Sequence, residues 1–186
     1  MKSFNSYYYL KEDHYNINLE IYLDQIQRNL INNVYTGNIN FERYPSLTEL
    51  PWWFKHIEIT GLLDLRSNYK LKSFKNMPKK VEDFIGPQYD TEFNENKISS
   101  LEGLENMICK YRFMYNCIYL KDIRYLPLTA KETQLYNIRT LEGIKTNSLI
   151  LQLTNLINIR DLFNLKDITS KIVTIKNAPS LISLEG

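Results

Sequence analysis

The feature that most constrains this chain is a tripeptide. Leu-Glu-Gly occurs at Leu101-Glu102-Gly103, Leu141-Glu142-Gly143 and Leu184-Glu185-Gly186. Degenerate copies lie between them, at Leu120-Lys121-Asp122-Ile123 and Ile159-Arg160-Asp161-Leu162. Two looser copies stand earlier, Leu47-Thr48-Glu49-Leu50 and Phe74-Lys75-Asn76-Met77, each followed by a proline, Pro51 and Pro78. The form is an apolar residue, a charged one, Gly or Asp, then a second apolar residue. The copies recur irregularly, at a step of about twenty residues, which is the period of a stacked supersecondary unit. Such units build a solenoid, each packing on its neighbours along the chain.

A second series keeps step with the first. Asn68, Asn96, Asn116, Asn137, Asn155 and Asn177 each precede one of these copies. Apolar residues alternate just before most of them, as in Leu63-Asp64-Leu65, Leu149-Ile150-Leu151-Gln152-Leu153, and Val173 with Ile175. Period-2 alternation predicts a half-buried strand. An Asn after the strand turns the chain, because its amide bonds local backbone and tolerates left-handed dihedrals. In a solenoid such amides can also stack and satisfy buried carbonyls of the adjacent coils.

The fragment Ile108-x-x-Tyr111-x-Phe113-x-x-Asn116-x-Ile118 resembles the leucine-rich repeat pattern L-x-x-L-x-L-x-x-N-x-L, and Leu63-x-Leu65-x-x-Asn68 matches part of it. The resemblance covers roughly residues 41–186. The recurring Ser-Leu-Glu-Gly is also similar to divergent leucine-rich-like proteins of tailed bacteriophages. The implied fold is an α/β repeat, an irregular leucine-rich-repeat-like solenoid with a parallel sheet and an N-terminal capping helix. Residues 1–40 would form the helical cap and residues 41–186 the solenoid, as one structural unit. Two departures stand out. Before Asn137, Asn155 and Asn177 the apolar residues sit one position closer than the pattern asks. The central repeats are also too short for a full convex helix, so tight turns or 3₁₀ segments are expected there.

Residues 18–35 carry a different period. Leu19, Leu23, Ile26, Leu30 and Val34 recur at helical spacing, with Asn18 as N-cap and Gly37 as stop. This amphipathic helix reads as a cap over the first coil or, in the sharper alternative, as a partner-binding helix. No matching cap is legible at the other end. The last coil is closed by its own side chains, or its open edge meets another subunit through strand addition, or the chain is a truncated piece.

Composition narrows the class. Hydrophobic residues make up 44% and charged residues 24% of 186, which suits a folded domain. The net charge of +2 gives no general attraction to nucleic acid or membrane. No apolar run is long enough to span a bilayer, and the start lacks a signal-peptide core. Cys109 and Cys117 make no disulfide framework and read as small core residues. A cytoplasmic, reduced chain is expected, in the host cytoplasm if phage-encoded. His14 and His56 stand in no metal-ligand spacing. No phosphate loop, dinucleotide fingerprint or nucleophile elbow is present. Neither enzyme activity nor a cofactor or metal is expected.

Contact residues follow from the strand period. Side chains between the inward apolar ones face solvent, which selects Asp64, Arg66, Glu92, Asn94, Arg112, Gln134, Tyr136, Gln152, Thr154, Thr174 and Lys176. This stripe carries no single sign of charge and suits a folded protein partner. Trp52 and Trp53, beside Phe54, and the run Tyr7-Tyr8-Tyr9 are dense in aromatics; Trp52 or Trp53 is either a contact or a core residue. Lys70, Lys72, Lys75, Lys79 and Lys80 form either a solvated loop or a patch for an anionic partner. The expected function is non-catalytic protein binding, and the bacteriophage resemblance implies a host protein complex that is modulated or inhibited, as in countering host defence. The alternatives are a structural subunit of a virion or multimer stacking through the C-terminal edge, and nucleic-acid binding through Lys70–Lys80.

Overall fold

The repeat winds into a solenoid in the computed structural model, which describes residues 18–87, 98–127 and 129–184. Each coil gives its strand to one parallel sheet. The strands are β1 (Val34–Tyr35), β2 (Ile39–Asn40), β3 (Glu58–Ile59), β4 (Leu62–Asp64), β5 (Lys80–Ile85), β6 (Ile108–Asn116), β7 (Glu132–Ile138), β8 (Ile150–Leu156) and β9 (Ile172–Lys176). The order is β1-β3-β5-β6-β7-β8-β9, with β4 between β2 and β5. The first two coils are each split in two, where Gly37 (φ 114°) packs under Gly61 and Asn38 Oδ1 accepts the Leu62 N–H at 2.9 Å.

The register explains the core. Ile39, Leu63, Phe84, Phe113, Thr133, Leu151 and Val173 are successive cross-strand partners. All but the last are buried. A second inward ladder runs Tyr115, Leu135, Leu153, Ile175. Gly86 sits over the Tyr115 ring, where a Cβ would overlap it, so the absent side chain makes room for a fully buried tyrosine. Phe84 stacks on Phe113 at 5.2 Å, and Phe74 meets Tyr115 edge-on at 5.6 Å. Both arrangements are ones that ring quadrupoles prefer; Phe41 and Phe54, at 5.9 Å, are tilted at 48° instead.

The recurring tetrapeptides form the far corners of the coils. Leu47, Phe74, Leu101, Leu120, Leu141 and Ile159 are buried, and so are their partners three residues on, Leu50, Met77, Leu104, Ile123, Ile144 and Leu162. The two Leu-Glu-Gly corners are closed by backbone bonds from the fourth residue to the first, Leu104 N–H to Leu101 O and Ile144 N–H to Leu141 O. Gly103 (φ 104°) and Gly143 (φ 73°) take the left-handed position. At Gly103 a side chain would also strike the Phe74 carbonyl of the preceding coil. Leu184 departs from the rule and is 79% exposed.

The asparagines satisfy the coil-to-coil contacts. Asn68 Nδ2 donates to the Phe41 and Tyr44 carbonyls of the preceding coil at 3.0 and 2.7 Å. Further along, Asn137, Asn155 and Asn177 all have φ between 53° and 57°. Their amides form a ladder: Asn137 to Asn116 at 3.1 Å, Asn155 to Asn137 at 3.1 Å, Asn177 to Asn155 at 2.9 Å. The one-residue slip of these strands against their asparagines is thus absorbed by the left-handed backbone, which brings the amides back into line. Asn96 lies outside the described residues.

Two expectations are corrected. The helix covers residues 18–28, not 18–35. Asn32 (φ 52°) and Asn33 (φ 63°) form a tight turn that bridges Ile31 to Val34, and Val34 enters the sheet as part of β1. Positive φ at both central residues is the hairpin-turn geometry that Asn tolerates. The shorter helix still buries Ile26 in the first coil, with Leu19, Leu23 and Leu30 packed around it. The second correction concerns Ile108 and Tyr111, the leading apolar positions of the matched fragment. Both are exposed, at 47% and 42%, and Cys109 faces inward instead. A bulge places three residue steps of β6 against two of β5: Val81 pairs Cys109, but Asp83 pairs Arg112. The extra residue re-aims the side chains before it.

Among the described residues the helix 18–28 is the one α-helix; Trp52–His56 and Phe163–Leu165 are 3₁₀ turns. The architecture is a solenoid on a parallel sheet.

Candidate protein-binding face

The side of the sheet opposite the core carries three neighbouring columns of side chains. The first runs Leu62, Asp83, Arg112, Glu132, Ile150, Ile172. The second runs Asp64, Ile85, Met114, Gln134, Gln152, Thr174, and the third Asn116, Tyr136, Thr154, Lys176. Strand pleat alone dictates this, since residues two apart share a face.

At the centre the polar groups are already bonded to one another. Glu132 Oε1 accepts from Gln134 Nε2 and Gln152 Nε2, each at 2.6 Å. Tyr136 OH donates to Gln134 Oε1 at 2.6 Å. Burial raises the Tyr136 phenol above its ordinary pKa; Glu132 adds to the rise and Arg112 opposes it. Arg112 Nε lies 3.7 Å from Asp83 Oδ1. The partly exposed Met114 stands beside this network. At the bulge Lys110 bonds Glu82 at 3.3 Å and lies 4.6 Å over the Tyr111 ring.

The structure brings Arg112, Gln134, Tyr136, Gln152, Thr154, Thr174 and Lys176 onto this one face. Asp64 is a correction. Its carboxylate was expected to face solvent, but its side chain is 1% exposed. Arg66 covers it, with Nε at 3.0 and 3.1 Å from the two oxygens and Nη2 at 2.7 Å. The bond to Asp64 raises the Arg66 pKa in turn. Burial of a carboxylate requires such a partner, so the pair presents the guanidinium to solvent and hides the acid. Glu92, Asn94 and Tyr7 to Tyr9 lie outside the described residues.

Trp52 and Trp53 divide. Trp53 packs against the core, while Trp52 is 68% exposed with His56 edge-on at 6.0 Å. They stand on a corner of the second coil, in the 3₁₀ turn before β3. The lysines disperse. Lys75 lies 3.9 Å from Glu49, Lys80 lies 3.6 Å from Glu58, Lys70 and Lys72 sit on the turns after Asn68, and Lys79 precedes β5. Sequence reasoning passed over Ile108, Lys110, Tyr111, Met114 and Glu132. Met114 was readable from the alternation around Phe113 and Tyr115; the residues displaced by the bulge carried no local signal.

Among the described residues no cluster of His, Cys, Asp and Glu could hold a metal ion. Cys109 and Cys117 are buried, and burial pushes the Cys109 thiol up to about 12 and Cys117 up as well. Among the described residues no helix is long and apolar enough to cross a membrane. Comparison with known proteins returns no matching family model, no matching curated protein and no matching solved structure.

Proposed function

We propose that this chain is a non-catalytic protein-binding solenoid, of leucine-rich-repeat-like descent, that engages its partner through the outward face centred on Arg112 and Tyr136. The observation that carries this reading is the bonded set Glu132, Gln134, Gln152 and Tyr136, flanked by Arg112, Met114 and Tyr111. Tyr, Arg and Met are the residue types enriched in protein interfaces. Side chains already fixed by mutual hydrogen bonds lose little further entropy on binding. Both signs of charge occur on the face, which favours a folded protein over a phosphate backbone. The dispersal of the lysines weighs the same way, because a nucleic-acid site needs a continuous basic stripe. The bacteriophage resemblance makes a host protein the expected class of partner.

The test is affinity capture from a bacterial host lysate, comparing the parent chain with Arg112→Glu and Tyr136→Ala. Circular dichroism checks that both variants stay folded, since Arg112→Glu sets a carboxylate between Asp83 and Glu132 and Tyr136→Ala removes one bond of the network. Loss of the same captured protein by both variants is the expected result. Equal capture by parent and variants would remove the face from consideration.

A further inference from the structure

Eight non-glycine residues have positive φ among the described residues, and seven of them are Asn, which tolerates it. The eighth is Tyr125, at φ 66°. The corner turns do not explain it. Asn76, Gly103 and Gly143 are left-handed as the third residue of their corners. In the Leu120 corner Asp122 is not, and the left-handed residue comes three later. A bulky side chain held there at a cost points to a role for the ring. That ring, 43% exposed, borders an open groove of about 380 Å³. The groove is mostly apolar and is lined by Glu105, Arg124, Tyr125, Leu126, Gly143 and Lys145. These residues come from three successive corners, those before β6, β7 and β8, so the groove lies mid-stack with paired coils on both sides.

Leu126 is buried, and at Gly143 a Cβ would overlap Arg124 Cγ, so the missing side chain lets the arginine stem lie across the next coil. Charges of both signs surround the groove. Arg124 Nη2 lies 3.1 Å from Glu142 and its Nε 3.7 Å from Asp122, while Glu105 Oε2 accepts the Gly103 N–H at 2.7 Å. A charged ligand would meet its own sign as readily as the opposite one. Lys145 differs, having no ion pair among the described residues. Its ammonium is left for a ring face, the use this chain makes of Lys166, 4.2 Å over Phe163, and of Lys110, 4.6 Å over Tyr111. We propose that the groove takes one uncharged aromatic side chain of a partner protein, stacked on the Tyr125 ring and capped by Lys145. Ring stacking and the cation select an aromatic group over an aliphatic one. The open groove leaves a free small molecule largely in water, whereas sites for such ligands enclose them, so the ring is one carried on a protein. This site is separate from the Arg112–Tyr136 face and stands or falls independently of it.

The probe is the blocked peptide acetyl-Gly-Ser-Trp-Ser-Gly-amide, compared with peptides carrying Leu or Asp in place of Trp. Backbone amide signals of the isotope-labelled full chain should move saturably with the Trp peptide at Tyr125, Leu126, Gly143 and Lys145. The Leu and Asp peptides should bind at least about twofold more weakly. Lys145→Met keeps the stem and removes the ammonium; it should weaken binding about twofold to fivefold. Tyr125→Gly should weaken it about twofold to tenfold while the unfolding midpoint does not fall, which separates the ring's contact from any part in folding. Should that midpoint fall, Lys145→Met decides the matter. Arg112→Glu should leave peptide binding unchanged. No saturable shift at the groove, equal binding of the Leu peptide, or binding untouched by Lys145→Met overturns the proposal. So does tighter binding of the Asp peptide, which would make this an anion site, or of free indole, which would make it a small-molecule site.

Discussion

Left-handed positions mark where single residues matter most in this molecule. Gly103 and Gly37 share nearly the same positive φ, but only Gly103 lies against backbone, the Phe74 carbonyl; a Cβ at Gly37 meets nothing within 4 Å. Gly37→Ala should therefore cost about 1–2 kcal/mol, the left-handed penalty alone, and Gly103→Ala clearly more, as read by urea unfolding. Tyr125 (φ 66°) occupies the same conformation with a bulky side chain, 43% exposed. Tyr125→Gly should raise the unfolding midpoint, since about 1 kcal/mol of local strain is relieved; a drop would show that the ring packs usefully. The buried thiols set a pH limit. Their folded pKa values lie above the unfolded value, so the unfolded state releases protons first as pH rises. Stability is whole below about pH 9 and falls from there toward about 12 for Cys109. Unfolding midpoints measured at pH 8, 9 and 10 should decline, and less steeply in Cys109→Ala.

At the scale of elements, the asparagine ladder joins coils whose strands slip by one residue against their asparagines. Asn155 both donates to Asn137 and accepts from Asn177. Asn155→Ala loses two bonds and the tolerance for φ 57°, for a cost of about 2–3 kcal/mol. Asn155→Gly loses the bonds but keeps the backbone, so it should cost about 1–2 kcal/mol. A glycine variant as unstable as the alanine one would mean the amides matter and the dihedral does not. The corners and most strands were legible in the sequence, because Leu101, Leu104, Leu141 and Ile144 repeat a local pattern with a local cause. The bulge in β6 was not. It arises from the mismatch between β5 and β6, two segments far apart in the chain, and it turns Ile108 and Tyr111 outward against their apolar character. The end of the helix was misread for a related reason. Val34 has the right spacing for a helix, but pairing with Glu58 in β3 outweighs a marginal last turn.

Across the whole molecule, each coil packs only on its neighbours, so stability is a sum of local interfaces and is lowest at an uncovered end. The first coil has a helix over it; among the described residues β9 pairs on one side only, and its Ile172 and Val173 are half-exposed. Amide hydrogen exchange should be fastest along β9 and slowest in β6 and β7, and equal protection throughout would argue for a single cooperative unit. The outward face depends on this stacking too. Arg112, Glu132, Gln134, Tyr136 and Gln152 come from three coils, and only the register between them makes a network. The alternation could say which of these side chains leave the core, but not that Glu132 would hold two glutamines or that Arg66 would cover Asp64.

The Leu-Glu-Gly corners, the strand-ending asparagines and the inward alternation were determined by the sequence itself, since each depends on a dihedral preference or a period within a few residues. The register, the bulge, the split first coils and the bonded face were decided only in the tertiary structure. They depend on which residue of one coil lies over which residue of the next, and irregular coil lengths leave that to packing.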